Sequence, residues 1–207
     1  LNDKFRNVSI ITAQNIDKDV INLIGAQCFA TETNETLIDF FSDDTLSIPD
    51  SSSVSRQKKN KGKTKLSKQV QNALWDQAPL SMSGLVAGKL LLCMGLPIII
   101  KNNVATELCI TNGQEGFVYG WIDGTGAAGQ CILETLFILL DKPPQTVQLK
   151  GLPINVVSIT QTNVHMKCRL PTDDIIYISQ YQVEVLVNYT ITDYSSQEKP
   201  DHITPLT

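Results

Sequence analysis

The apolar residues of this chain change period along its length. Val8-Ser9-Ile10-Ile11-Thr12 is a short β-branched run, after which Ile16, Val20, Leu23, Ile24 and Gln27 recur at helical spacing. The pattern predicts a strand feeding a helix, with Asn15 as N-cap and Asp17 and Asp19 in the first turn, where the helix dipole favours them. Leu66, Val70, Ala73 and Leu74 predict a second, short helix ending near Trp75-Asp76-Gln77, with Pro79 as its stop. From Lys89 onward the pattern becomes short apolar runs: Leu90-Leu91-Leu92, Ile98-Ile99-Ile100, Phe117-Val118-Tyr119, Leu136 to Leu140, Val147-Gln148-Leu149 and Ile175 to Ile178. Asn112-Gly113, Asp123-Gly124-Thr125-Gly126, Lys142-Pro143-Pro144 and Gly151-Leu152-Pro153 separate them as turn formers, so these are strands of a small antiparallel barrel or sandwich. Val183, Val185 and Val187 alternate along a strand expected to return to the first sheet, with Thr190 to Gln197 turning out of it into a helix.

Composition narrows the class without naming it. With 207 residues, 42% hydrophobic and 18% charged, the chain is long enough for one large or two small cored domains, and it is neither disordered nor collagenous. No stretch reaches the roughly 18 apolar residues of a spanning helix, and no membrane partner is expected. The chain opens on Leu1 without a secretory leader, and is expected to be a piece of something longer. Five scattered cysteines and two distant histidines give neither a disulfide framework nor a metal-ligand spacing.

The net charge of −4 hides an asymmetry. Arg56, Lys58, Lys59, Lys61, Lys63, Lys65 and Lys68 take seven of the 17 basic residues in a segment with no acid, which leaves the rest of the chain strongly acidic. The basic run fits a phosphate-tracking segment or a nuclear import signal, and equally a solvated linker.

Five segments taken in order carry a resemblance. They are Ile10-Ile11-Thr12-Ala13-Gln14-Asn15 with Asp17 to Asn22; Phe41-Ser42-Asp43-Asp44-Thr45-Leu46; Lys89 to Asn103; Asn112 to Val118; and Tyr189-Thr190-Ile191-Thr192-Asp193-Tyr194-Ser195-Ser196-Gln197. Together they resemble the C-terminal half of the petite-integration-frequency (PIF-type) helicases, ATP-driven 5′-to-3′ DNA helicases of superfamily one. The likeness is greatest to their fungal, Helitron-like group, where the basic linker, Leu74-Trp75-Asp76-Gln77 and Gly151 to Val157 also have counterparts.

The resemblance implies an α/β fold: a partial RecA-like domain, the second of the helicase, carrying an inserted small antiparallel β-barrel of Src-homology-three type. Residues 1–46 would open the RecA-like domain, 47–66 form a basic flexible linker, 67–112 continue the domain, 113–182 form the barrel and 183–207 return with a strand-to-helix helicase motif. It further implies a single-stranded DNA partner contacted by Asn15, Lys101, Asn102, Thr192, Ser196 and Gln197, and a nucleotide cleft bordered by Gln197 and Glu198. Repair, recombination, telomere maintenance and a nuclear or mitochondrial location belong to the same expectation.

The chemistry of a motor is incomplete in these residues. ATP hydrolysis needs a G-x-x-x-x-G-K-[ST] loop on the phosphates and Mg²⁺, and the sequence has none. Gly120-Trp121-Ile122-Asp123-Gly124-Thr125-Gly126 lacks the Lys-Ser/Thr pair and reads as a hairpin. ATP and Mg²⁺ therefore belong to the intact parent, whose N-terminal RecA-like domain is the implied partner, and this chain alone is expected to be inactive. Ser195 and Glu198 also replace the Lys and Gly of the family's Lys-Ser-Gln-Gly, and an acid there opposes a phosphate. Each site residue has a plainer role open to it: Asn15 as a cap, Thr192 and Ser196 as backbone partners at a turn, Lys101-Asn102-Asn103 as a solvated loop. Trp75, Trp121 and Tyr119 suit base stacking or packing. A non-enzymatic module that binds single strands or a protein is the rival reading.

Overall fold

The computed structural model describes residues 10–12, 15–47, 66–76, 87–169, 173 and 175–192. Its elements in chain order are β1 (Ile10–Thr12), α1 (Asn15–Thr33), β2 (Ile38–Phe41), β3 (Asp43–Leu46), α2 (Lys68–Trp75), β4 (Lys89–Leu92), β5 (Pro97–Ile100), β6 (Glu115–Thr125), β7 (Cys131–Leu140), β8 (Val156–Thr160), β9 (Thr162–Arg169), β10 (Ile175–Gln182), β11 (Val185–Val187) and β12 (Thr190–Thr192).

The largest sheet has the order β11-β5-β6-β7-β8 and is antiparallel throughout. Its alternation places Ile98, Ile100, Val118, Leu136, Ile138 and Leu140 on the core face. The antiparallel pair β2 and β4 brings Phe40 and Leu92 against that face, where Phe40 meets Trp121 edge-on with centroids 5.5 Å apart. Turn chemistry closes the β5–β6 connection as the sequence predicts. Gly113 has φ +85°, a conformation that costs other residues dearly, and its N–H donates to the Ile100 carbonyl at 2.9 Å.

A second sheet has the order β3-β10-β9. One face packs on α2, where Leu74 and Ile178 are fully buried among Leu66, Val70, Val164 and Ile176. Ser67 caps α2, and the helix ends at Trp75, as its apolar spacing and stop signal require. Trp75 donates its indole N–H to the Ser42 carbonyl and its ring lies 4.7 Å from that of Phe41.

A buried polar clasp joins this unit to the rest. Asp44 Oδ2 accepts from Ser42 Oγ at 2.9 Å and Gln71 Nε2 at 2.5 Å, and Gln180 Nε2 donates to Ser42 Oγ at 3.1 Å. Asp44 Oδ1 and Gln180 Oε1 are left without hydrogen-bond partners. Burial pushes the Asp44 carboxyl up to about 6 against the pull of its hydrogen bonds.

Four expectations change. Among the described residues no closed barrel forms, since the five-stranded sheet is open at β11 and β8. Val147-Gln148-Leu149 is not a strand: Val147 is pinned to Asn155 alone, by Asn155 N to Val147 O at 2.8 Å and Val147 N to Asn155 Oδ1 at 3.0 Å. The Val185–Val187 strand joins β5, and the return to β1 is made by Thr190–Thr192. Finally, α1 buries Asn22, Ala26 and Ala30, while Val20, Leu23 and Ile24 of the predicted core stripe are 51%, 47% and 53% exposed. Small residues won the inward face because α1 approaches Tyr189 closely: a Cβ on Gly25 would come within 2.5 Å of its ring.

Candidate nucleic-acid interface

Two three-residue strands make the site. β1 and β12 are parallel, with Ile10 opposite Thr190, Ile11 opposite Ile191 and Thr12 opposite Thr192. Their carboxyl ends therefore point the same way, and α1 starts at Asn15, three residues past Thr12. Ligands of open parallel sheets gather at the carboxyl ends of the strands, and a helix N-terminus there presents free N–H groups to a phosphate. Asn15 and Thr192, drawn from opposite ends of the chain, are thus placed at one end of one ladder. The helix begins at the Asn15 expected to precede it, a shift of one residue at its boundary.

Side chains on α1 hold β12 in place. Asn22, buried on the inward face, accepts the Tyr189 N–H at Oδ1 at 3.1 Å, directly before β12 begins. The Tyr189 phenol is driven well above its ordinary range by burial, and by the neighbouring Cys93, Glu32 and Cys28.

Lys101 and Asn102 stand at the other end of this segment. Ile100 pairs with Val185, so the residues after it face the start of β11 and not the end of β12. The Lys101 N–H donates to the Glu184 carbonyl at 3.2 Å, and Asn102 Nδ2 donates to Glu184 Oε2. Glu184 also accepts from Thr162 Oγ1 at Oε1. A carboxylate thus sits beside the residues expected to meet phosphate. Ser196, Gln197 and Glu198 lie outside the described residues, as does the expected helix following Thr192.

The glycine-rich stretch after Tyr119 leads into a turn between strands. Gly120 and Gly124 belong to β6, and the chain turns at residues 126–130, where the Gly126 N–H donates to the Gln130 carbonyl at 2.8 Å. This is a hairpin and not a phosphate cradle. Among the described residues no group of three His, Cys, Asp or Glu is placed to hold a metal ion, and no helix is long and apolar enough to cross a membrane.

Of the three aromatic residues singled out by sequence, Trp75 and Trp121 pack as described, and Tyr119 is 44% exposed beside the bulge between Val118 and Gly120. Sequence reading passed over the outward face of β9 and β10, where period-two alternation puts Asn163, His165 and Lys167 beside Ile175 and Tyr177.

No protein-family description matches this sequence, and no curated protein matches it. Solved structures do. The chain is similar to Pif1 helicase from Candida albicans over 91% of its length, with TM-score 0.51 and 14% identity, covering 36% of that chain. It is similar also to unliganded Pif1 from Bacteroides sp over 93% of its length, with TM-score 0.50 and 14% identity, covering 44% of that chain. The chain spans well under half of the helicases it matches. At such identity the likeness speaks for the backbone alone: the mixed, strand-rich fold is similar to part of the Pif1 helicase structures.

Proposed function

We propose that this chain is a portion of an ATP-dependent 5′-to-3′ DNA helicase of the fungal, Helitron-like kind, supplying single-stranded DNA contacts and not acting as a motor alone. The observation that supports this most is the parallel pairing of β1 with β12, which sets Thr12, Thr192 and the opening of α1 at one edge. In this reading Asn15 and Thr192 meet the phosphates together with Ser196 and Gln197, and Lys101 and Asn102 serve a more distant stretch of the strand. Gln197 and Glu198 border the nucleotide cleft. The parent's N-terminal RecA-like domain is the partner, ATP and Mg²⁺ are bound only with it, and the location is nuclear.

The test is fluorescence anisotropy of labelled oligothymidylate with the 207-residue chain over a salt series, alongside an ATP hydrolysis assay. Salt-sensitive binding, weakened by Asn15→Ala and Thr192→Ala, with no ATP turnover, is the expected result. Absence of binding at low salt, or ATP turnover by this chain, overturns it.

A further inference from the structure

The β9–β10 hairpin presents two different faces. Val164, Ile176 and Ile178 point inward onto α2, while Asn163, His165 and Lys167 on β9 and Ile175 and Tyr177 on β10 are exposed. The register makes the outward set a grid: Lys167 stands opposite Tyr177, His165 opposite Ser179 and Asn163 opposite Tyr181, with Ile175 two residues before Tyr177 on the same strand. Directly opposed residues on one face have Cβ atoms about 5 Å apart. The β9 row consists of nitrogen-bearing side chains and the β10 row carries two phenol rings, two and six residues beyond Ile175.

Several of these groups are fixed in place. Ser179, buried, hydrogen-bonds His165 Nδ1 at 2.8 Å, and Asn163 Nδ2 donates to the Tyr181 hydroxyl at 3.3 Å. The carboxylate of the adjoining strand, Asp43, is turned to the β6–β7 hairpin, accepting from Ala127 N at 3.2 Å and Gln130 Nε2 at 3.4 Å. The exposed face of an antiparallel sheet is ordinarily polar throughout. Here Ile175 is 52% and Tyr177 is 39% exposed, beside the β9 row of hydrogen-bonding side chains that includes the Lys167 ammonium. A base needs a ring or an apolar surface to stack on, and its phosphate needs a cation beside it; the grid alternates these.

We infer that the outward face of β9 and β10 is a second binding surface for single-stranded DNA, with a base stacked on Tyr177 and Ile175 and the adjoining phosphate on Lys167. This rests on the proposed function only in its choice of ligand. The residues are separate from those at the β1–β12 edge, so the surface is a second contact independent of that edge.

The test uses the 207-residue chain with oligothymidylate carrying 5-iodouracil, photocrosslinked and mapped by mass spectrometry, together with anisotropy titrations. Crosslinks to the peptide containing Tyr177 are expected. Tyr177→Ala should weaken binding at least about fivefold and Tyr177→Phe should restore it, since stacking needs the ring and not the hydroxyl. Lys167→Gln should lower the salt slope by about one. Crosslinks confined to residues 10–22 and 184–192, with Tyr177→Ala binding as the parent chain does, overturn this surface and leave the proposed function standing. Binding of oligouridylate without oligothymidylate overturns the DNA assignment, and absence of both overturns this inference and the proposed function together.

Discussion

Thr12 and Thr192 are partners in a parallel ladder, although nearly the whole chain separates them in sequence. Every element between α1 and β12 lies within that one crossover, so the candidate DNA edge exists only when both chain segments are docked. Besides the ladder itself, Asn22 Oδ1 docks them by accepting the Tyr189 N–H, supported by the close passage of Gly25 under the Tyr189 ring.

Gly25→Ala should destabilise the chain. In an unencumbered helix interior alanine gains about 1 kcal/mol over glycine, but here its methyl would come within 2.5 Å of the Tyr189 ring, and such overpacking costs roughly 1–3 kcal/mol. Chemical denaturation of the two proteins decides the sign, and a more stable Gly25→Ala variant would show that α1 does not pack on Tyr189.

Asp44 should make stability depend on pH in an unusual direction for a carboxylate. Its folded pKa of about 6 lies above the ordinary 3.8, so the native state holds the proton more tightly. The stabilisation is complete below about pH 4 and is lost as pH rises through about 6. Asp44→Asn keeps an acceptor for Ser42 and Gln71 and adds a donor where Asp44 Oδ1 has no partner. The variant should equal or exceed the parent by roughly 1–3 kcal/mol at pH 8 and show a flatter profile between pH 4 and 6. Urea midpoints at three pH values measure it.

Leu74→Ala should cost roughly 2–5 kcal/mol, because Leu74 is fully buried between α2 and the β3-β10-β9 sheet with few other side chains to close the gap. Hydrogen exchange should show the loss of protection concentrated in β9 and β10. Uniform loss across β5 to β8 would mean the two sheets unfold as one unit.

Leu23→Lys and Ile24→Glu should leave stability within about 0.5 kcal/mol, since both residues are half exposed on the outward face of α1. The pair should also reduce light scattering at high concentration, as an apolar stripe of this kind invites association. A large loss of stability would place these side chains in a buried contact.

Glu184→Gln should strengthen single-stranded DNA binding severalfold if Lys101 and Asn102 meet phosphate. The substitution removes the negative charge beside them while leaving an amide oxygen to accept from Asn102 or Thr162. Unchanged affinity across a salt series would confine Asn102 to tethering the end of β5.

Local chemistry determined much of this protein. The β-branched run at Ile10–Thr12, the apolar runs of β4 to β7, the capped helix α2 and the Asn112-Gly113 turn follow from period, propensity and the φ +85° that glycine tolerates. The order of five short segments was enough to indicate a Pif1-like helicase fold. Tertiary structure decided what period cannot: which of two faces α1 buries, and which strand accepts Val185–Val187. It also decided that β9 and β10 align Lys167 with Tyr177 and that Thr12 meets Thr192. The reason is common to all four. A helical or alternating pattern fixes the spacing of side chains along one element, whereas the partner and register of that element depend on surfaces supplied by residues far away in the chain.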